Sequence, residues 1–259
     1  MAKGNADVRD SLHALHESDA VAWNGLNALV RERHPGWTVR VIHEVMTRSD
    51  ALAAAASAPP AALADRPLPL GPYPVAAQFD TRLFDNAADV VVLSIQADVM
   101  SRLVRHRSDG HFFYPHEADH WQAEDRSWLV SHYLPAPPLD PQQSMANLAA
   151  IVARIRERGN PLVLIYNLSP IVPWDQPHCY EGLSETLAER IHRFNLGLVE
   201  LSRQTGVSIV DVEAIVARAG VDRVKLDAIS LNAEGCRLVA GEVLRIIEDH
   251  GCFVRSEAA

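Results

Sequence analysis

No apolar run in the chain approaches the ~18 residues that a membrane span needs, so no transmembrane helix is expected. The first residues, Met-Ala-Lys-Gly-Asn-Ala-Asp-Val, contain no apolar h-region, which predicts a cytoplasmic protein. Cysteine is scarce. Cys179, Cys236 and Cys252 are odd in number and show no C-x-x-C spacing, which favours neither a disulfide framework nor a thiolate metal site. No metal and no other cofactor is expected. Positive charge is in deficit, with a formal net charge of −9. Nucleic acid and anionic membrane both need a basic patch, so neither is expected as a partner, although an acidic total is compatible with a local anion pocket. No internal repeat is visible.

What the chain does have is an ordinary globular core, at 48% hydrophobic over 259 residues. That length fits one large α/β domain spanning 1–259. Four apolar runs have strand chemistry: Trp37–His43, Asp89–Ile95, Pro161–Asn167 and Val207–Val212. The middle two are continuously apolar, as a parallel strand covered on both faces should be. Helix-period segments separate them. Trp23, Leu26, Leu29 and Val30 mark one over 13–34, and Leu148, Ile151, Val152 and Ile155 a second that ends at Gly159. Leu183–Leu201 and Cys236–Ile247 follow, the last closed by Gly251. Alternating strands and helices predict right-handed crossovers and a three-layer α/β/α domain. Residues 51–75 predict a short helix and then a Pro-rich extended loop. Residues 106–141, rich in His, aromatics and Pro, predict an insertion serving as a lid or binding surface.

The segment 224–235, Val-Lys-Leu-Asp-Ala-Ile-Ser-Leu-Asn-Ala-Glu-Gly, resembles the Asp-x-x-His-x-Asn-x-x-Gly motif of the SGNH/GDSL hydrolase superfamily, with Ser230 in the place of the His. The helix and strand before it, through Gly206-Val-Ser-Ile-Val-Asp-Val212, keep the family's order. Residues 89–98 are similar to the block in which a buried strand delivers Gly-x-Asn, and Asp98 falls in the Asn place. Residues 39–47 resemble the block carrying a Gly, with Thr47 near it. Arg9-Asp10-Ser11-Leu12 resembles the Gly-Asp-Ser-Leu block. The resemblance implies a flavodoxin-like parallel sheet, with Ser11 as nucleophile, Asp227 as the carboxylate that would orient a base, and Thr47 and Asp98 at the oxyanion site.

It also implies what has been lost. A serine hydroxyl cannot take a proton near pH 7, so Ser230 removes the general base. An ionised Asp98 accepts hydrogen bonds where the family donates one, and losing one such donor costs ~10²–10³ in rate. The stretch ahead of Arg9, Ala6-Asp7-Val8, is too short and polar for a central strand, which implies a sheet edge that a partner completes or covers. Ser11 equally suits a helix N-cap, and Asp227 a turn.

Further candidates follow the third apolar run. Trp174 and His178 would lie at the ligand edge, with His178 as a replacement base. His43, with Glu44, ends a strand at the same edge. His116-Glu117-Ala118-Asp119-His120 matches H-E-x-x-H, a zinc motif on a helix, but Pro115 and the polar residues that follow argue instead for a solvated loop.

Two readings follow. One is a catalytically divergent subunit that acts on a small-molecule substrate with a homologous SGNH-like partner. The chain resembles in this respect the paired SGNH-like proteins that form aziridine rings by sulfate elimination in azinomycin-type biosynthesis. The other is an active hydrolase or lyase with a relocated base, for which Asp98, Asp227 and His178 are candidates.

Overall fold

Five short parallel strands form the centre of the computed structural model, which describes residues 1–17, 20–56, 58–85, 87–171 and 183–254. In chain order the principal elements are β1 (Ala2–Lys3), α1 (Ala6–Leu12), α2 (Leu26–Arg33), β2 (His43–Glu44), α3 (Ser49–Ala53), β3 (Val90–Ser94) and α4 (Gln96–Met100). Then come α5 (Pro141–Arg156), β4 (Leu162–Tyr166), α6 (Leu187–Thr205), β5 (Ser208–Val210), α7 (Val212–Ala219) and α8 (Ala233–Asp249). The strands lie in the order β5-β4-β3-β1-β2. This is the flavodoxin-like order, whose switch point between β1 and β3 is where such sheets place ligands. In register, Ala2 stands between His43 and Val92, and Val92 pairs with Leu164.

The continuous apolar runs serve two cores at once. Val91, Leu93, Val163 and Ile165 face one core, which α5 and α6 complete with Leu148, Ile151, Ile191 and Phe194. Val92 and Leu164 face the other, completed by Val8, Leu29, Val239 and Val243 from α1, α2 and α8. The helices begin where their caps say. Asp140, Thr186, Asp211 and Asn232 each accept a backbone N–H in the first turn of the helix that follows.

Several expectations change. A first strand exists and lies inside the sheet, five residues earlier than Gly-Asp-Ser-Leu spacing suggests. It is two residues long, too short to show periodicity, and one of the two is a lysine. Lys3 is tolerated there because Nζ meets Glu44 at 3.2 Å and the Asp80 carbonyl at 3.1 Å. The inferred open edge at this strand is therefore absent. Of Trp37–His43 only His43 pairs in the sheet, joined by Glu44. The expected 13–34 helix is instead a hairpin of Leu15–Glu17 and Ala20–Trp23 followed by α2. Gly25 makes the corner at φ 78, a conformation that a side chain disfavours.

The insertion has structure of its own. Val104–His106, Phe112–Phe113 and Tyr133–Pro135 form an antiparallel sheet, and Ala123–His132 a helix. They share a small core with the Pro-rich segment, through Leu63, Leu70, Phe79, Phe113, Trp121 and Tyr133. His116 and His120 are not on one helical face. Glu117 adopts φ 50, and only Ala118–His120 forms a single 3₁₀ turn.

Candidate active site

β1 delivers the chain to the carboxyl end of the sheet at Gly4-Asn5, and α1 starts at Ala6. Gly4 is required by crowding, since a Cβ there would come within 2.8 Å of Val8 Cβ. The tight turn places Asp7 over the end of β3, where Ser94 Oγ donates to its Oδ2. The other oxygen, Oδ1, is buried and has no hydrogen-bond partner among the described residues. Burial pushes the Asp7 carboxyl above its ordinary value, and the Ser94 bond only partly opposes it.

The opposite wall comes from the 224–235 motif. Lys225 and Leu231 bridge antiparallel, and Asp227 Oδ1 accepts from the N–H groups of Ile229 (2.8 Å) and Ser230 (2.7 Å). Asn232 Oδ1 then caps α8 by accepting from Gly235 N at 3.0 Å. The motif's glycine has a packing reason, because a Cβ on Gly235 would stand 2.9 Å from the Val224 carbonyl. Lys225 Nζ donates to the carbonyls of Ile171 (2.7 Å) and Ala228 (2.8 Å). Burial, partly offset by Asp227, brings its pKa down to about 8. Asp7, Asn167, Ser169, Lys225, Ala228 and Ile229 line a cavity of ≈ 20 Å³, room for a water or the tip of a substrate group. Ser169 Oγ is a second buried polar atom there without a partner among the described residues.

A buried carboxyl raised above its ordinary value and an amine brought down to about 8 suit proton transfer and the reception of negative charge. Neither residue was singled out from sequence. A signal for Lys225 was present. The chain's only lysines are Lys3 and Lys225, against a background of arginine, and both are buried.

Among the described residues, the expected site residues do not converge. Ser11 is fully buried in the last turn of α1, where Oγ donates to Asp7 O (2.8 Å) and lies 3.0 Å from Tyr166 Oη. It therefore has no access to a substrate. Asp98 is buried beneath the rim. Its Oδ1 accepts from Ser49 N (2.6 Å) and its Oδ2 from the hydroxyls of Ser49 and Ser144 (2.5 Å each). It brackets α3, α4 and α5 together, with its pKa raised to about 6 by burial against those three bonds. Thr47 is also buried, between β2 and α3. His43 Nε2 lies 2.9 Å from the Gly4 carbonyl, to which it donates, and burial holds its pKa near 4. Glu44 is taken up by Lys3 and by Arg82 at 2.6 Å. Asp227 and Ser230 are at the rim, the former making the turn. His178 and Trp174 lie outside the described residues.

No protein-family model matches the chain, and no curated protein matches it. Solved structures do. LAE5, an alpha/beta hydrolase enzyme from the metagenome of Lake Arreo, Spain, is 15% identical with a TM-score of 0.53, over 98% of this chain and 95% of that one. A catalytic mutant of Axe2, an acetylxylan esterase from Geobacillus stearothermophilus, is 13% identical with a TM-score of 0.53, over 99% and 95%. A second Axe2 mutant, described as an acetyl-xylooligosaccharide esterase, is 12% identical with a TM-score of 0.53, over 95% and 91%. At such identities the likeness is one of fold. The chain has the three-layer α/β/α, SGNH-hydrolase-like fold across nearly its whole length.

Proposed function

We propose that this chain is a catalytically divergent SGNH-like protein that does not run Ser-His-Asp ester hydrolysis. It acts on a small molecule as a subunit in bacterial secondary-metabolite biosynthesis, together with a homologous SGNH-like partner. Ring closure to an aziridine with loss of sulfate is the reaction class it fits. In that step a base takes a proton from an amine, the nitrogen lone pair attacks the carbon bearing the sulfate ester, and the C–O bond breaks to release sulfate. No oxyanion hole is needed, only a proton acceptor and a cation for the departing charge. The observation that carries the reading is the combination of a sealed Ser11 with a serine, Ser230, in the Asp-x-x-His turn. The fold's resemblance to esterases supports the scaffold, not the chemistry.

A second reading, a lyase or hydrolase with its own relocated base, is favoured by the unpartnered Asp7 Oδ1 beside the Lys225 cavity. One pair of experiments separates the two from an ordinary esterase. A fluorophosphonate probe on the full chain is expected to label no serine, and stoichiometric labelling would overturn the loss of Ser-His-Asp chemistry. Native mass after co-expression with genomic neighbours is expected to reveal a heteromer with an SGNH-like partner bearing an intact Asp-x-x-His. A monomer or homo-oligomer would overturn the partner reading and leave Asp7 as the base.

A further inference from the structure

The insertion carries a side-chain cluster with no part in the rim chemistry. His106 ends one strand of the small sheet, and the tight turn 107–110 returns the chain at His111, whose carbonyl accepts from His106 N at 2.9 Å. Gly110, at φ 75, permits that reversal. The hairpin stacks the two imidazoles, with centroids 4.7 Å apart and planes at 14°. Both rings turn Nδ1 toward the same point, and Asp109 of the turn places Oδ1 there, 2.9 Å from His111 Nδ1 and within bonding reach of His106 Nδ1. This is the one group among the described residues whose donor atoms all lie within 4.8 Å of one another in a metal-ligating pattern.

The surroundings fix the ligands. His111 Nε2 is 2.9 Å from Tyr133 Oη, which holds the ring and selects which nitrogen faces the turn. Tyr133 is buried and packs edge-on against both imidazoles, at 5.0 and 5.5 Å. The geometry points to a binding site for a divalent transition-metal ion of the zinc type, held by His106 Nδ1, Asp109 and His111 Nδ1 with the fourth position open to solvent. Two imidazoles and one carboxylate match the ligand preference of zinc and its first-row neighbours and not that of calcium or magnesium, which take oxygen. Ligand bonds of about 2.1 Å set donor separations of about 3.4 Å, so Asp109 Oδ1 would draw back by about half an ångström from the His111 Nδ1 that it now meets at 2.9 Å. The ion would pin the 107–110 turn to the end of the strand Val104–His106. The inference is independent of the reading of the rim.

The test is Zn²⁺ binding to the chelator-stripped full chain, followed by competition with a chromophoric chelator. One equivalent is expected. Asp109→Asn, at an exposed position that leaves the fold intact, and His111→Ala should each weaken binding at least tenfold. Tyr133→Phe should weaken it by about tenfold, as loss of an outer hydrogen bond does. His120→Ala should change nothing. Absence of saturable binding, binding indifferent to Asp109→Asn, or binding lost in His120→Ala would each overturn the assignment.

Discussion

Replacing Asp98 by Asn should change how stability depends on pH more informatively than it changes stability itself. Asp98 is buried, and its pKa in the folded chain is raised to about 6 by burial, against the opposing pull of Ser49 N–H and the Ser49 and Ser144 hydroxyls. In the unfolded chain an aspartate titrates near about 3.9. Between those two values the native state holds a proton that the unfolded state has released. Stability from this group is therefore fully present below about pH 4 and is lost as pH rises through about 6. A separation of about two units corresponds to about 3 kcal/mol. Asn cannot titrate, so this slope should vanish in Asp98→Asn. The variant should also carry a pH-independent penalty of about 1–3 kcal/mol, since an amide oxygen cannot accept all three donors. Urea unfolding of both proteins at intervals from pH 4 to 7 gives the difference directly. Parallel curves, or a wild type that gains on the variant as pH rises, would mean that the three donors outweigh burial, and would refute the reasoning.

Two further predictions address the rim. Gly4→Ala should destabilise by about 1–3 kcal/mol, because the added methyl drives into Val8 across the tight turn, and the urea midpoint should fall with an unchanged slope. Acetylation followed by peptide mass spectrometry should find Lys225 reacting with a midpoint near pH 8 and Lys3 protected. A midpoint near the ordinary lysine value of about 10.4 would refute the assignment of a desolvated amine.

The middle of the sheet was legible because β3 and β4 are buried on both faces and say so in every residue. α8 was legible because its apolar positions recur at helical spacing up to Gly251. β1 was not, because two residues carry no period and a buried lysine contradicts strand propensity. Only its ion pair with Glu44, forty-one positions away, makes it admissible. The same non-local dependence misplaced Asp98. A carboxylate just past a strand can face the rim or the helix layer, and here Ser49 and Ser144 decide. Ser11 misled because Asp10-Ser11-Leu12 falls in the last turn of α1 and not in the turn between β1 and α1. The turn reading of Asp227 was legible because the turn is built from local hydrogen bonds, to the N–H groups of Ile229 and Ser230.

With both lysines inside, the basic side chains left for the outer surface are guanidinium and imidazole. Guanidinium stays charged to beyond about pH 12, so the exterior keeps that positive charge unchanged through alkaline conditions that would discharge an ordinary lysine-bearing surface. It also leaves amine-directed cross-linkers little to grip beyond Lys225. A partner sought by tethering is better approached through this chain's many carboxylates, and a negative result with amine reagents would carry no weight.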